Sequence, residues 1–316
     1  MQFSEEIIAR HMRPITGSAI REIFKLLGKP GMISFAGGNP SNAALEPEVI
    51  SEIAREALGK YGAQLLQYGA TEGFGPFLES AREFLKGAGV SAGPGELLPV
   101  QGGSQAWDLL LKAVIEPGDA ILAESPTFLG ALQAMRTYNA AVIPIATDDR
   151  GAIPEDVEEK IRKHRPKLLY VIPTFQNPTG VTLSLERRRA LAELANRYGV
   201  VLAEDDPYRD LRFSGEPLPT IKSFDENGWV VYMSSFSKYV APGLRLGAVV
   251  ANPVLLRKMT IGKQSADVHS PLLIQAIVDG YLRKGLMPAH LERICADYRR
   301  QLGAMLNGFR YFPEGT

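Results

Sequence analysis

Residues 168–206 read LLYVIPTFQNPTGVTLSLERRRALAELANRYGVVLAEDD. Two short apolar runs, Leu168–Ile172 and Val200–Ala203, flank a stretch that repeats every three to four residues. Ser184 sits where an N-cap belongs, its hydroxyl able to accept from the first free backbone N–H groups, and Gly199 stands at the C′ position. The spacing predicts strand, helix, strand, with the helix over Ser184–Tyr198. The charged run Glu186–Arg189 falls inside that helix and reads as a solvated face. The same alternation continues in both directions. Ala120–Ala123, Ala141–Ile145, Val230–Met233 and Leu246–Val250 read as further buried strands, and Gln105–Ile115 and Pro154–Lys163 as amphipathic helices. Strands that are apolar on both faces suit a mostly parallel sheet covered by helices, a layered α/β fold. From Pro253 onward the pattern is helical, and Leu291–Leu306 reads as one long helix leading away from the sheet.

Composition narrows the function classes. The 316 residues carry 35 Lys+Arg against 35 Asp+Glu, so no basic excess marks a general nucleic-acid binder, though a local basic pocket is compatible. With Cys295 as the one cysteine no intramolecular disulfide forms, which fits a reducing compartment, and its amphipathic surroundings predict a packed thiol. His11, His164, His269 and His290 are scattered without metal-ligand spacing, so no metal site is expected. Met1–Arg10 lacks the basic start and apolar run of a signal peptide, and no apolar stretch is long enough for a membrane helix. A soluble cytoplasmic protein is expected.

Four motifs carry chemistry. Gln101-Gly102-Gly103-Ser104-Gln105 opens a helix, where glycine admits a close ligand and free N–H groups suit a phosphate. A serine cap behind a glycine turn reads the same way. Asn177-Pro178-Thr179-Gly180 follows a strand, the position where ligands bind in α/β sheets, and is also an ordinary turn sequence. Ala203-Glu204-Asp205-Asp206-Pro207-Tyr208 places a carboxylate and a phenol at a strand end. Alone, Asp205 and Asp206 read as a solvated turn. Ser234-Ser235-Phe236-Ser237-Lys238, with Arg245 following, sets a lysine among small hydroxyl residues between two apolar strands. A partly buried lysine of lowered pKa is a nucleophile toward aldehydes, and the arginine suits a dianion.

Taken in order, these motifs resemble the fold-type-I pyridoxal 5'-phosphate (PLP) enzymes, and within them the class I/II aminotransferases of the aminoadipate, kynurenine and multi-substrate aromatic branch. Ser34-Phe35-Ala36-Gly37-Gly38-Asn39-Pro40, Leu66-Gln67-Tyr68-Gly69 and Glu124-Ser125-Pro126-Thr127-Phe128 also match. The resemblance implies that Lys238 carries PLP as a Schiff base and later shuttles a proton. It implies that Asp205 pairs with the pyridine nitrogen, that Asn177 and Tyr208 bond the ring's phenolic oxygen, and that Phe128 stacks on the ring. Gly103, the backbone of Ser104 and Gln105, and the side chains of Ser104, Ser235, Ser237 and Arg245 would hold the phosphate. Tyr68 would reach the phosphate of a neighbouring subunit, which implies a homodimer. Gly38, Asn39, Asn177 and Arg21 would face the substrate, and for Arg21 a surface salt bridge is an equal reading.

The resemblance further implies an N-terminal arm over 1–40, a large PLP-binding domain over 41–286 and the start of a small C-terminal domain over 287–316. In the family that small domain supplies an arginine that clamps the substrate carboxylate, and no residue here matches it. A chain that binds PLP but turns over weakly is the expectation. The substrates implied are an aromatic, branched-chain or 2-aminoadipate-type amino acid and a 2-oxo acid such as 2-oxoglutarate. Two alternatives stay open: a PLP-dependent lyase or decarboxylase on the same scaffold, and a PLP-binding regulatory module of the kind fused behind a DNA-binding winged helix, for which Met1–Gly31 is short.

Overall fold

The computed structural model describes residues 4–17 and 37–313; Arg21 and the stretch Ser34–Ala36 lie outside them. Seven strands form one sheet: β1 (Leu97–Val100), β2 (Ala120–Glu124), β3 (Ala141–Ile145), β6 (Leu168–Val171), β7 (Val201–Asp205), β8 (Val230–Ser235) and β9 (Gly247–Val250). Between β3 and β6 a two-stranded hairpin pairs β4 (Thr147–Asp148) with β5 (Gly151–Ala152). The order across the large sheet is β1-β9-β8-β7-β6-β2-β3. The pairs from β8 to β3 are parallel, and β9 runs antiparallel to both its neighbours. The mostly parallel α/β sheet expected from the sequence is therefore present.

Period-two alternation divides the side chains between two covered faces. On β6, Leu168 and Tyr170 face α3 (Gly103–Val114) and α7 (Pro253–Ala266), while Leu169 and Val171 face α5 (Pro154–His164) and α6 (Leu185–Tyr198). The remaining layer, under β1, β8 and β9, is filled by α1 (Pro47–Tyr61), α2 (Gly75–Lys86) and α8 (Leu272–Arg283). Short α4 (Leu129–Thr137) flanks α3. In α3, Leu109, Leu110 and Leu111 have no exposed surface. Each contributes about 1.5–3 kcal/mol of burial, enough to fix the helix whose first turn borders the site.

Several boundaries follow from local chemistry. Ser184 caps α6 by accepting from the Arg187 N–H, and Gly199 ends it at φ 65°. The long helix α9 runs Met287–Gly308. Its first half is packed through Met287, His290, Ile294 and Cys295, whereas Leu302 and Leu306 are exposed. Cys295 is buried, as a packed thiol should be. Among the described residues no helix is long and apolar enough to cross a membrane.

Candidate active site

The C-terminal ends of the parallel strands lie along one edge of the sheet, and the sequence places its polar residues there. Phe128 follows β2, Asn177 follows β6, Asp205 closes β7 with Tyr208 just beyond, and Ser235 closes β8 ahead of Lys238. Because β9 is antiparallel, Gly247 pairs with Ser235 and with Val100, so Arg245 and the Gln101–Gly103 turn reach the same edge.

The glycine turn forms a cradle. Gly102 has φ 78° and ψ 173°, a region essentially reserved for glycine, and a Cβ there would sit 2.6 Å from Arg245 Nη2. Its carbonyl accepts from the N–H groups of Gln105 (3.1 Å) and Ala106 (3.3 Å), so those of Gly103 and Ser104 precede the first bond of α3. The Gln105 N–H, expected to serve a ligand, is thus already engaged. Arg245 donates through Nη2 to Gln101 O (3.0 Å) and through Nη1 to Ser237 Oγ (3.2 Å). Ser235 Oγ accepts from the Ser237 N–H (3.3 Å). Two serines, an arginine and a helix start converge here.

Behind the cradle lies a clamp that sequence reading missed. Buried Lys263 donates to Gln105 Oε1 (2.8 Å) and Asp267 Oδ2 (2.8 Å). Gln105 Nε2 donates to the same Asp267 oxygen (2.7 Å), and Gln105 Oε1 accepts from the Gln101 N–H (2.8 Å). The side chain of Gln105 therefore braces the turn from α7.

Beside the cradle, Asp205 Oδ2 accepts a 2.6 Å hydrogen bond from the Tyr170 hydroxyl. Burial pushes the Asp205 carboxyl up to about 6, the tyrosine hydroxyl draws it back, and the charge of Asp206 adds to the rise. Asn177 Nδ2 donates to the Tyr208 hydroxyl over 3.4 Å. Lys238 Nζ donates to Gly38 O (2.7 Å) and lies 6.0 Å from the centre of the Tyr208 ring. Burial, reinforced by the positive charge of Arg245, lowers the Lys238 pKa. Phe128 is half-buried, and its ring sits where a Cβ on Gly130 would approach to 2.5 Å. Gly38 and Asn39 are exposed, and Tyr68 stands 80% exposed with its ring 6.1 Å from that of His269.

Two expectations are corrected. The Glu186–Arg189 run is not wholly a solvated face: Arg188 is fully buried, donating to Leu183 O (2.9 Å), Pro173 O (2.7 Å), Pro219 O (3.1 Å) and Thr174 Oγ1 (3.0 Å). Asp206 is not in a solvated turn either. It is fully buried, accepting from the Tyr232 hydroxyl (3.2 Å), and half-buried Asp205 is held by Tyr170. Strand alternation sends Glu204 and Asp206 to the face opposite Asp205, where packed residues surround them.

The residues present fit a small phosphate-bearing aromatic aldehyde. The glycine-only turn and its arginine and serines suit the phosphate, a lysine whose pKa is lowered suits the aldehyde, and a carboxylate beside the turn suits a cationic ring nitrogen.

Comparison with known proteins agrees with this chemistry. Residues 30–310 match the family described as aminotransferase class I and II. The aromatic-amino-acid aminotransferase 1 of Thermococcus litoralis is 39% identical over 99% of this chain and 76% of its own length. The kynurenine aminotransferase of Pyrococcus horikoshii, solved with PMP, superposes with a TM-score of 0.92 at 38% identity, covering 98% of this chain and 78% of that one. The α-aminoadipate aminotransferase of Thermus thermophilus, solved with N-(5'-phosphopyridoxyl)-L-leucine, gives 0.89 at 36% identity, covering 98% and 78%. With the family matched over nearly its whole length, the chain belongs to the class I and II aminotransferases, and its cofactor is pyridoxal 5'-phosphate.

Proposed function

We propose that the chain moves an amino group from an aromatic, branched-chain or 2-aminoadipate-type amino acid to a 2-oxo acid such as 2-oxoglutarate. The observation that carries this reading is the convergence of Lys238, Asp205, Asn177, Tyr208 and Arg245 at one sheet edge, around a turn that only glycine can make. The names of the similar aromatic-amino-acid, kynurenine and α-aminoadipate enzymes support the substrate class.

When bound, PLP supplies an electron-withdrawing ring that takes up the electrons released as the substrate's Cα–H bond breaks. This chain's residues do the rest. The lowered pKa of Lys238 favours the uncharged, nucleophilic amine, which would also be placed to move a proton between the substrate Cα and the cofactor's C4′. Asp205 holds a proton on the ring nitrogen, since a nearby carboxylate favours the cationic form. Asn177 and Tyr208 would bond the phenolic oxygen, and Phe128 would stack on the ring. Arg245, Ser235, Ser237, Ser104 and the N–H groups opening α3 hold the phosphate. Gly38, Asn39 and Asn177 would border the substrate; Arg21, for which a surface salt bridge is an equal reading, lies outside the described residues.

We further propose a homodimer in which exposed Tyr68 enters the partner's site, and a cytoplasmic setting that suits the lone, buried Cys295. Residues 41–286 act as the cofactor-binding unit and 287–316 belong to a second unit whose first helical turns pack against it; the exposed Leu302 and Leu306 support that division. The test is single-turnover transamination with stoichiometric PLP-loaded protein, so that a slow rate is still read. L-Phenylalanine, L-kynurenine and L-2-aminoadipate are supplied in turn. At least one should yield its 2-oxo acid or the cyclised product, and glutamate should form on adding 2-oxoglutarate. Release of carbon dioxide or ammonia without glutamate would assign a lyase or decarboxylase instead.

A further inference from the structure

The hydroxyl of Tyr170 has no packing reason to exist. Tyr170 lies on a central strand with no exposed surface, its ring 4.8 Å from that of Trp107 and tilted by 47°. A phenylalanine would fill the same space without burying a polar atom, which is costly unless that atom is bonded. Register explains where the hydroxyl goes. Tyr170 pairs with Ala203 across the parallel β6/β7 ladder, so the two side chains share the α3 face, and Asp205 is the next residue of β7 on that face. A tyrosine spans that one step, and its hydroxyl meets Asp205 Oδ2 at 2.6 Å. The other carboxylate oxygen, Oδ1, lies 3.8 Å from where a Cβ on Gly103 would be, at the start of α3.

We infer that Tyr170 is a positioning residue for Asp205, its hydroxyl fixing Oδ2 while Oδ1 is left to meet the cofactor's ring nitrogen. The inference rests on the proposed role of Asp205. The surroundings oppose a charged carboxylate: burial and the neighbouring charge of Asp206 both push Asp205 toward the neutral form. Glu124 on β2, beside Tyr170, and Tyr208 beyond β7 add acidic groups from the adjoining elements. Tyr170 is the hydrogen-bond donor acting against them. Without it the carboxyl shifts further toward the neutral form, which holds a cationic ring less well.

The experiment is PLP affinity of the apo chain against pH, followed by absorbance and protein fluorescence, for the parent, Tyr170→Phe, Asp205→Asn and the double variant. A hydrogen bond to a charged group carries enough energy that its loss should move the affinity profile of Tyr170→Phe about one pH unit higher. The same substitution in the Asp205→Asn background should change nothing, since its effect runs through the carboxylate. Replacing Tyr170 with a ring-fluorinated tyrosine, a stronger donor of the same shape, should move the profile lower; this arm answers the question if the phenylalanine variant folds poorly. Superposable profiles for the parent, Tyr170→Phe and the fluorinated form, with Asp205→Asn altered, would overturn the inference while leaving Asp205 in place. A parent-like profile for Asp205→Asn would instead remove the role of Asp205 and the inference with it.

Discussion

Replacing Gly102 by alanine tests the link from backbone to cofactor. At φ 78° and ψ 173° the residue occupies a region that side chains avoid, so alanine costs about 1–3 kcal/mol of backbone strain. The new methyl would also lie 2.6 Å from Nη2 and 3.1 Å from Cζ of Arg245. The guanidinium must then move, breaking its bonds to Gln101 O and Ser237 Oγ and shifting the charge set for the phosphate. A charge-assisted hydrogen bond contributes about 1.5–3 kcal/mol, so losing one weakens PLP binding on the order of 10- to 100-fold. Strain of that size lowers the melting temperature of a chain this long by roughly 2–4 °C. Gly103→Ala is the control for stability: its Cβ would meet nothing nearer than Asp205 Oδ1 at 3.8 Å, and its apo melting temperature should hold. Calorimetry of the apo proteins and PLP titration give both readouts. A Gly102→Ala protein with parental melting temperature and PLP affinity would refute the reasoning.

Arg188→Met should destabilise the fold by about 3 kcal/mol or more in urea unfolding, because it strips donors from the carbonyls of Leu183, Pro173 and Pro219 in the interior. A loss below about 0.5 kcal/mol, the range of ordinary surface changes, would contradict that account. Burial, with the charge of Asp206, pushes Glu204 up to about 8 despite the N–H groups of Ile221 and Lys222 bonded to it. The folded state then binds more protons than the unfolded chain between the ordinary carboxylate range and about pH 8, so apo stability falls as pH rises through that window. Glu204→Gln should remove much of this slope; an unchanged slope would show Glu204 ionising normally. Lys263→Met should loosen the Gln101–Gln105 turn and weaken PLP binding several-fold, read by the same titration, since its ammonium joins Gln105 to Asp267. Unchanged affinity would reduce the clamp to packing.

How much could be read in advance depended on how local each signal is. In 168–206 both strands are apolar on two faces and the helix between carries its own cap and stop, so neighbours in sequence settle the structure. β1 escaped notice because Leu97–Val100 is four residues long with Pro99 inside it, and proline marks an edge strand, where β1 lies. The β4–β5 hairpin is two residues a side, too short for any period to register. Arg188 sits in a run of charges, and what buries it is a set of carbonyls from loops around Pro173 and Pro219, distant in sequence. The motifs named the residues proposed for the site, but not what braces them. Tyr170 looked like one more apolar strand residue, because its partner is set by register with β7. Gln105 belonged to a recognised motif, yet its side chain turns to Lys263 and Asp267, more than a hundred residues away.

The most direct test of the account is to mix the purified chain with PLP, record the visible spectrum, reduce with borohydride and map the modified peptide. A yellow absorbance band and a stable adduct on Lys238, absent in Lys238→Ala, is the predicted result. An adduct on a different lysine, or covalent attachment that survives Lys238→Ala, would contradict it.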